Sequence, residues 1–419
     1  MNRKSDIVVV GSGLAGMSAA LTAAQSGKSV TLLTHGAGTL AISSGCIDVL
    51  GYVNGKSVSD PFEAMAELPA EHPYSLIGGE ETVREALSWL KGMCKKGGID
   101  MAPAAEQGNH RLITVMGTLK PSYLCPDSFN PDCLKDVHRA AVVTVENMKD
   151  VHPGLIIDQL HRYDEFAGKE FMEAVLPCPI EHAHRNITPL DIARHVETPE
   201  GLKWLEESLA PYARLYPVLL LPPICGMKHS QQVWNHLCTV LKVKIVEMVS
   251  IPPGVAGLRL REAFKKALNL AGVYTVESAE VVRAEVEEGV CKALYSATAH
   301  GECGWEADNF IIATGGLLSG GISTAPGKAW ESIFRLPLEA PENTEEWSSP
   351  DIFGSSFFAS MGMRVNSELK PLDAEGNEVL ANVRFAGRIL GGYDFAAEKS
   401  GHGVALATGR YAGMLAGKE

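Results

Sequence analysis

Near the N-terminus the chain reads Asp6-Ile-Val-Val-Val-Gly-Ser-Gly-Leu-Ala-Gly-Met17, an apolar run followed by a glycine-rich loop. Its apolar run, residues 7–10, predicts a buried parallel strand, and the small residues that follow predict a helix through Gln25. Gly27 occupies the position of a helix C-cap glycine, and residues 29–33 form a second apolar run. A G-x-G-x-x-G loop between a strand and a helix, with a second strand after it, is the fingerprint of a dinucleotide-binding fold.

Each glycine of this loop has a physical role beside a phosphate. Gly11 allows the tight turn, Gly13 lets backbone amides approach the phosphate, and Gly16 lets the helix pack close to the strand. The N-terminus of the helix adds partial positive charge. The loop therefore predicts these cofactor-binding residues: Gly11, Ser12, Gly13, Leu14, Ala15 and Gly16.

The second strand lacks the acidic residue that normally follows it. An Asp or Glu at that point accepts hydrogen bonds from an adenosine ribose. Here Leu33 is followed by Thr34, and no acidic residue occurs between Asp6 and Asp48. Two readings follow. The chain binds a full dinucleotide with Thr34 as a weaker ribose contact, or it binds a mononucleotide flavin that has no adenosine.

Composition narrows the class of protein. The chain has 419 residues, which predicts two or three structural units, and its 46% hydrophobic and 21% charged content is that of a globular protein. The net charge of −13 makes nucleic acid an unsuitable partner. The nine cysteines form no C-x-x-C pair, so no metal site or iron–sulfur cluster is predicted, and buried thiols in a reducing cytoplasm are expected. No segment has the length of a transmembrane helix, so we expect no direct membrane insertion.

Two further segments are typical of flavin-linked oxidoreductases. An apolar strand at 310–312 ends in Ala-Thr-Gly-Gly, which predicts cofactor contacts from Ala313, Thr314 and Gly315. The small polar segment after the second strand either contacts the flavin through Ser43, Ser44 and Gly45 or forms an ordinary loop.

A third segment near the end of the chain completes the predicted cofactor site. We expect Asp394 to bond a ribityl hydroxyl and the turn at 401–403 to open a helix that faces flavin N1 and O2. The dipole of that helix would favour the anionic reduced flavin and raise its reduction potential. The residues predicted from this segment are Gly387, Gly392, Tyr393, Asp394, Gly401, His402 and Gly403.

These segments predict an α/β fold with a Rossmann-like flavin-binding domain and an inserted α+β second domain. We expect the flavin-binding domain to comprise residues 1–71 and 244–419. Residues 72–243 would form the insertion, a substrate cap or partner-binding domain, and residues 320–360 could return to it.

Three signatures in this order resemble the two-dinucleotide-binding-domain flavoproteins, of the glutathione-reductase and fumarate-reductase type. The chain more closely resembles the B-subunit family of anaerobic glycerol-3-phosphate dehydrogenase. The resemblance runs through short islands across nearly the whole chain: Gly13-Leu-Ala-Gly16, Ser43-Ser-Gly45 with Asp48, His72-Pro-Tyr-Ser75, Met116-Gly-Thr-Leu119, Ile251-Pro-Pro253 with Gly257-Leu-Arg-Leu260, Ser319-Gly-Gly321, and Leu390-Gly-Gly392 with Asp394.

That resemblance implies a cytoplasmic flavoprotein associated with FMN, in agreement with the missing acidic residue. It implies two partners: an FAD-bearing catalytic protein, and an iron–sulfur protein that holds the complex at the inner face of the cell membrane. The complex would oxidise sn-glycerol 3-phosphate to dihydroxyacetone phosphate and pass electrons to quinone. His402 departs from the family, which tends to have glycine there.

Substrate oxidation at this chain would need a base and cations that hold the phosphate. The candidate catalytic residues are Arg259, Arg388 and His402. No base motif is evident, which favours an electron relay over direct substrate oxidation. A free-standing FAD-dependent reductase or dehydrogenase of the fumarate-reductase type is the alternative, and Thr34 argues against it.

Overall fold

The protein is described from a computed structural model that covers residues 2–105, 108–180, 186–298, 301–351 and 354–419. The chain divides into two compact units. The first unit comprises Met1–Thr39, Asp48–Leu90 and Phe264–Glu419, and the second comprises Leu40–Ile47 and Lys91–Ala263. No helix in the described ranges is long and apolar enough to cross a membrane.

The secondary structure alternates between strands and helices along most of the chain. In chain order the strands are β1 (Asn2–Val10), β2 (Val30–Leu33), β3 (Tyr52–Val53), β4 (Lys56–Ser57), β5 (His110–Ile113), β6 (Leu119–Ser122), β7 (Arg139–Val145), β8 (Glu170–Leu176), β9 (Val218–Leu221), β10 (Lys244–Glu247), β11 (Tyr274–Val276), β12 (Glu280–Glu287), β13 (Val290–Thr298), β14 (Gly301–Ile312), β15 (Ile322–Ala325), β16 (Lys328–Glu331), β17 (Pro337–Leu338) and β18 (Val383–Phe385). The helices are α1 (Leu14–Gln25), α2 (Pro61–Met65), α3 (Pro73–Leu76), α4 (Glu80–Gly97), α5 (Pro153–Leu160), α6 (Pro189–His195), α7 (Pro199–Ala213), α8 (Ser230–Leu241), α9 (Val255–Leu270), α10 (Phe395–Glu398) and α11 (Gly401–Lys418).

The first unit is built on a sheet in the order β11–β2–β1–β14–β13–β12, and β18 also pairs with β14. The pairs β11–β2, β2–β1, β1–β14 and β14–β18 are parallel, whereas β12, β13 and β14 form an antiparallel meander. The apolar run of β1 is fully buried, as a parallel strand covered on both faces requires. The predicted Rossmann-like architecture is thereby confirmed.

Helices α1 and α11 pack against each other through small residues. A side chain at Gly409 would overlap the carbonyl oxygen of Ala15, and one at Gly413 would overlap that of Ala19. The small residues of both helices therefore permit a close backbone approach, which holds the first turn of α1 beside the C-terminal helix.

The second unit contains a four-stranded sheet in the order β10–β9–β7–β8, and every pair in it is parallel. Helix α5 connects β7 to β8, helices α6 and α7 lie between β8 and β9, and α8 connects β9 to β10. The sequence predicts an α+β insertion. The structure instead shows an α/β arrangement together with the antiparallel pair β5–β6.

The unit boundaries also differ from the expected ones at 71/72 and 243/244. Residues 72–90 belong to the first unit, where Tyr74 donates a hydrogen bond to the carbonyl oxygen of Val49. Residues 244–263 belong to the second unit, because β10 extends its parallel sheet beside β9. Residues 40–47 belong to the second unit, and the described residues between 320 and 360 belong to the first.

Candidate functional site

The predicted cofactor segments meet at one edge of the first unit's sheet. Val10, the last residue of β1, is in register with Leu33 of β2 and with Ile312 of β14, and Ile312 is in register with Phe385 of β18. The four strands therefore end side by side. Loops at the carboxyl ends of parallel strands are where α/β sheets bind ligands.

The three glycines of the loop differ in the space around them. Gly13 has room beside it for a phosphate, whereas backbone atoms lie against Gly11 and Gly16. Gly11 has φ +107°, and a side chain there would overlap the carbonyl group of Ala313. A side chain at Gly16 would overlap the carbonyl oxygen of Gly11, whereas one at Gly13 would meet nothing within 4 Å. Gly13 is also the N-cap of α1, and among the described residues no side chain caps that helix. An anionic group can therefore approach the α1 N-terminus at Gly13.

Thr34 lies beside this loop and its hydroxyl is held within it. Thr34 Oγ1 lies 2.6 Å from Ser12 Oγ and 2.8 Å from the carbonyl oxygen of Gly36. A side chain at Gly38 would contact the Ser12 carbonyl oxygen at 2.8 Å. The position after β2 thus carries a hydroxyl already bonded within the loop, where a dinucleotide site would present a carboxylate.

The segment after β14 contributes a buried hydroxyl and two glycines. Thr314 Oγ1 is buried and has no hydrogen-bond partner among the described residues. Gly315 has φ +81°, a conformation that a side chain would strain. Gly316 lies against the side chain of Arg388, whose Cζ would be 3.2 Å from an added Cβ.

The side chain of Arg388 is bonded to backbone carbonyls of a neighbouring turn. Nη1 donates to the carbonyl oxygen of Met361 at 3.0 Å, and Nη2 donates to that of Ala359 at 2.6 Å. The guanidinium also lies over the Phe395 ring, 4.7 Å from its centroid. Burial lowers the pKa of Arg388, and the smaller opposite effect of Tyr393 does not cancel that shift. The Arg388 side chain therefore connects the segment after β18 to the turn at residues 359–361.

The loop between β18 and α11 places its predicted residues in different surroundings. Gly387 contacts Ala15 of α1, because an added Cβ would lie 2.7 Å from the Ala15 Cβ. The Tyr393 hydroxyl is buried without a partner in the described part of the chain. Asp394 Oδ1 accepts hydrogen bonds from the backbone N–H groups of Ala396 and Ala397, both at 3.0 Å. Asp394 is thus the N-cap of α10.

His402 lies in the first turn of α11, next to Asp48. Its Nδ1 is 4.0 Å from Asp48 Oδ2, and the Gly403 N–H donates to the Asp48 carbonyl oxygen at 2.9 Å. The His402 side chain is 20% exposed. A side chain at Gly403 would overlap the Tyr74 hydroxyl. The start of α11 is therefore in close contact with the segments around Asp48 and Tyr74.

Ser43, Ser44 and Gly45 lie in the second unit, where their hydroxyls bond locally. Ser43 Oγ accepts the Gly45 N–H at 3.2 Å, and Ser44 Oγ accepts the Cys46 N–H at 3.3 Å. Gly45 has φ +70°, and a side chain there would overlap the backbone of Ala256 at the start of α9. These three residues form a compact turn against α9.

Arg259 is buried in the second unit and paired with Glu247. Arg259 Nη1 and Nη2 donate to Glu247 Oε2 and Oε1 at 2.6 and 2.9 Å, and Nε donates to the Gly226 carbonyl oxygen at 2.9 Å. Ser128 Oγ and the Cys225 N–H also donate to Glu247. Burial alone would raise the pKa of Glu247, but the Arg259 charge and these hydrogen bonds outweigh it and lower that pKa. All three guanidinium nitrogens of Arg259 are therefore hydrogen-bonded within the second unit.

Sequence reasoning missed the partners that hold these candidates. Glu247 lies twelve residues before Arg259, and nothing in its strand pattern singles it out. His72 and Glu398 are 326 residues apart and lie 3.3 Å from each other. Pro73 does indicate that His72 is an N-cap, because Pro is common at the first helical position, but no sequence signal indicates the pairing of His72 with Glu398.

The residues at this edge fit the phosphate-bearing part of a flavin nucleotide. In the described part of the chain, nothing lies within 4 Å of a Cβ added at Gly13, and no side chain caps α1. Thr314 and Tyr393 offer buried hydroxyls whose hydrogen-bonding capacity is unused by the described residues. The described residues contain no group of three or more His, Cys, Asp or Glu side chains that could bind a metal ion.

Comparison with known proteins gives matches along nearly the whole chain. The family described as "FAD binding domain" matches residues 6–404. The B-subunit of anaerobic glycerol-3-phosphate dehydrogenase from Vibrio vulnificus is 30% identical over 412 residues, which cover 96% of this chain and 94% of that protein. The probable B-subunit of anaerobic glycerol-3-phosphate dehydrogenase from Halobacterium salinarum is 32% identical over 432 residues, with 99% and 98% covered.

Among solved structures, the open conformation of a flavocytochrome c3 fumarate reductase aligns with 99% of this chain and 78% of its own, at 12% identity and a TM-score of 0.46. The relatives found by sequence, in contrast, match this chain nearly from end to end. The chain belongs to the FAD-binding-domain family of flavin-dependent oxidoreductases and, within it, to the B-subunit family of anaerobic glycerol-3-phosphate dehydrogenase.

Proposed function

We propose that this chain is the flavin-binding component of an anaerobic dehydrogenase complex that oxidises sn-glycerol 3-phosphate to dihydroxyacetone phosphate. The observation that carries the proposal is end-to-end similarity to relatives of that name, together with four strand ends that bring the cofactor segments to one sheet edge. Electrons would leave the chain for iron–sulfur partner proteins and then quinone.

We propose FMN as the flavin. The residue after β2 is Thr34, and its hydroxyl bonds to Ser12 and to the Gly36 carbonyl oxygen. An adenosine ribose would find no carboxylate acceptor at that point. The matching family is named for FAD, so FAD is the alternative, and it would need a ribose contact made elsewhere.

A bound flavin would supply the redox chemistry, accepting two electrons and releasing them singly. The chain's own residues bind and orient it. Gly13 and the α1 N-terminus would receive the phosphate, and Thr314 and Asp394 offer a hydroxyl and a carboxylate oxygen for the ribityl chain. The start of α11 would face the ring and stabilise negative charge on it.

We propose that the chain acts as an electron relay, with substrate oxidised at an FAD-bearing catalytic partner. Arg259 donates through all three guanidinium nitrogens to partners within its own unit, and Arg388 is tied to carbonyl oxygens. Neither is free to hold a substrate phosphate without breaking bonds observed here. His402 adjoins Asp48 and remains the candidate for a proton-handling group near the flavin.

The proposed partners are this FAD-bearing catalytic protein and an iron–sulfur protein that anchors the complex at the membrane. The relatives are named as B-subunits, which supports a complex of several different chains. The chain would then work in the cytoplasm, at the inner face of the membrane, through the iron–sulfur partner.

Anaerobic reduction by substrate tests the relay. The flavin-loaded chain alone is mixed with sn-glycerol 3-phosphate while the visible absorbance of the oxidised flavin is recorded, and the mixture is repeated with the FAD-bearing partner added. The relay predicts bleaching of the flavin in this chain only when that partner is present. Bleaching of the chain alone would instead show substrate oxidation at this chain.

The alternative is a free-standing FAD-dependent reductase or dehydrogenase. The family name is the observation that favours it. Tagged chain purified from its host under anaerobic conditions would then carry FAD and no partner, whereas the complex predicts co-purification of an iron–sulfur protein.

A further inference from the structure

His72 is buried between two short elements of the first unit, with a side chain that is 1% exposed. Its Nδ1 accepts a hydrogen bond from the Tyr74 N–H at 3.1 Å and so caps α3. In the neutral ring the proton must then be on Nε2. Nε2 lies 3.3 Å from Glu398 Oε2, so His72 donates to Glu398.

Glu398 joins both ends of the segment that leads into α11. Its Oε1 accepts the backbone N–H of Asp394 at 3.1 Å. Its Oε2 accepts the Ser400 hydroxyl at 2.7 Å as well as His72. One carboxylate, itself 19% exposed at the side chain, therefore connects the N-cap of α10, the N-cap residue of α11 and helix α3.

Ser400 occupies the N-cap position of α11, but its side chain does not cap that helix. Its hydroxyl donates to Glu398 instead. No side chain of the described residues caps α11, and the Gly403 N–H already donates to the Asp48 carbonyl oxygen. The N–H groups of Gly401 and His402 are therefore the ones that face a prospective anionic ligand.

The surroundings keep this turn in place. The Tyr74 hydroxyl donates to the Val49 carbonyl oxygen at 2.8 Å and abuts Gly403. The Tyr393 ring packs edge-on against His72, with ring centroids 5.7 Å apart. The Tyr393 hydroxyl is buried and has no hydrogen-bond partner among the described residues.

We propose that His72 is a positioning residue for the flavin: through Glu398 and Ser400 it fixes the first turn of α11 so that the turn stabilises negative charge on the bound ring. The inference rests on the proposed function, because it requires a flavin in this unit. Loss of the His72–Glu398 bond would loosen that turn, weaken flavin binding and lower the flavin reduction potential.

Two substitutions separate the two bonds of the imidazole. His72→Asn keeps an acceptor near the Nδ1 position for the Tyr74 N–H and removes the donor to Glu398. His72→Gln keeps a donor near the Nε2 position and removes the cap of α3. Ser400→Ala removes the last connection of the same chain of bonds. The matched control is His236→Asn, which breaks an exposed His–Glu contact of 3.2 Å in the second unit.

The measurements are the dissociation constant for FMN, by fluorescence titration of the full-length apo-chain, and the midpoint potential of the loaded chain. We expect His72→Asn and Ser400→Ala to bind FMN about fivefold more weakly and to have a lower potential. His72→Gln should retain both flavin properties while melting at a lower temperature, and His236→Asn should match the parent chain.

A His72→Asn chain with parental affinity and potential would overturn the proposal, as would equal losses in His72→Asn and His72→Gln. If His72→Asn does not fold, parental flavin properties in Ser400→Ala would overturn it. Failure of the parent chain to take up any flavin would instead refute the proposed function, and the inference with it.

Discussion

The glycines of the phosphate loop differ in what a side chain would meet. Gly11→Ala would place a Cβ onto the Ala313 carbonyl at φ +107°. We expect it to lower the free energy of unfolding by about 2–4 kcal/mol and to abolish flavin binding. Chemical denaturation and flavin titration measure the two effects.

Gly13→Ala is the matched comparison, because its Cβ would meet nothing within 4 Å in the protein itself. We expect nearly parental stability and at least about tenfold weaker flavin binding, since the methyl group occupies the approach of the phosphate to the backbone amides. Parental flavin affinity in this variant would show that the phosphate does not bind at Gly13.

The Arg259–Glu247 pair gives a second prediction at the scale of single residues. Arg259→Met leaves a buried carboxylate without its cation, so we expect a loss of about 3–5 kcal/mol in unfolding free energy. The exposed Arg283–Glu302 pair supplies the control, and Arg283→Met should cost much less. A small effect of Arg259→Met would contradict the structural role assigned to Arg259.

The direction of the Glu247 pKa shift determines how the pair's contribution to stability depends on pH. The pKa of Glu247 is lowered from its ordinary value of 4.5, so the pair's contribution is present above 4.5 and is lost as the pH falls through the lower, folded-state pKa. The stability difference between the parent chain and Arg259→Met should therefore shrink in acid. A difference that stays constant below pH 4.5 would argue against ionised Glu247.

At the scale of elements, the contact between α1 and α11 depends on missing side chains. Gly409→Ala would push a methyl group into the Ala15 carbonyl, and we expect it to cost about 1–3 kcal/mol. Gly92→Ala, in α4, meets open space and should stabilise the chain by about 0.5–1 kcal/mol. Denaturation of both variants tests the packing, which a harmless Gly409→Ala would contradict.

The turn after β16 contains a buried carboxylate with a perturbed titration. Burial raises the pKa of Glu331 to about 7, although the N–H groups of Phe334 and Ile333 oppose that shift. Its contribution to stability is complete below its ordinary value of 4.5 and is lost as the pH rises through about 7.

Glu331→Gln keeps an acceptor for those N–H groups and cannot ionise. We expect the parent chain to lose up to about 3 kcal/mol of stability between about pH 5 and about pH 8 and the variant to lose much less. Melting curves across that range decide it, with the exposed Glu342→Gln as control. Parallel pH profiles for Glu331→Gln and the parent would refute the buried titration.

Elements with local chemistry were predictable from the sequence. Thr188 caps α6 with Pro189 at its first position, which is the cap that a Thr-Pro pair before a helical run predicts, and Asp191 completes a capping box. The turn between β12 and β13 is also local, because Glu288 and Gly289 both have positive φ, and a Glu-Gly pair between two alternating runs indicates such a turn. The partners of β7 to β10 were not predictable, because strand pairing in a parallel sheet joins segments distant in the chain.

At the scale of the whole molecule, the glycine segments predicted one cofactor edge, and the register of four strands brings the segments after β1, β2, β14 and β18 together. The sequence could not show that Leu40–Ile47 joins the second unit or that His72 belongs with Glu398. Those assignments depend on packing and hydrogen bonds between residues far apart in sequence.

We propose that this chain holds a flavin whose site lacks the adenosine half. The cofactor can be released from the purified chain with acid and identified by chromatography. We expect FMN, because Thr34 stands where a ribose-binding carboxylate would be. Release of FAD would contradict that account and favour the free-standing oxidoreductase, and a chain that takes up neither flavin would contradict the cofactor site itself.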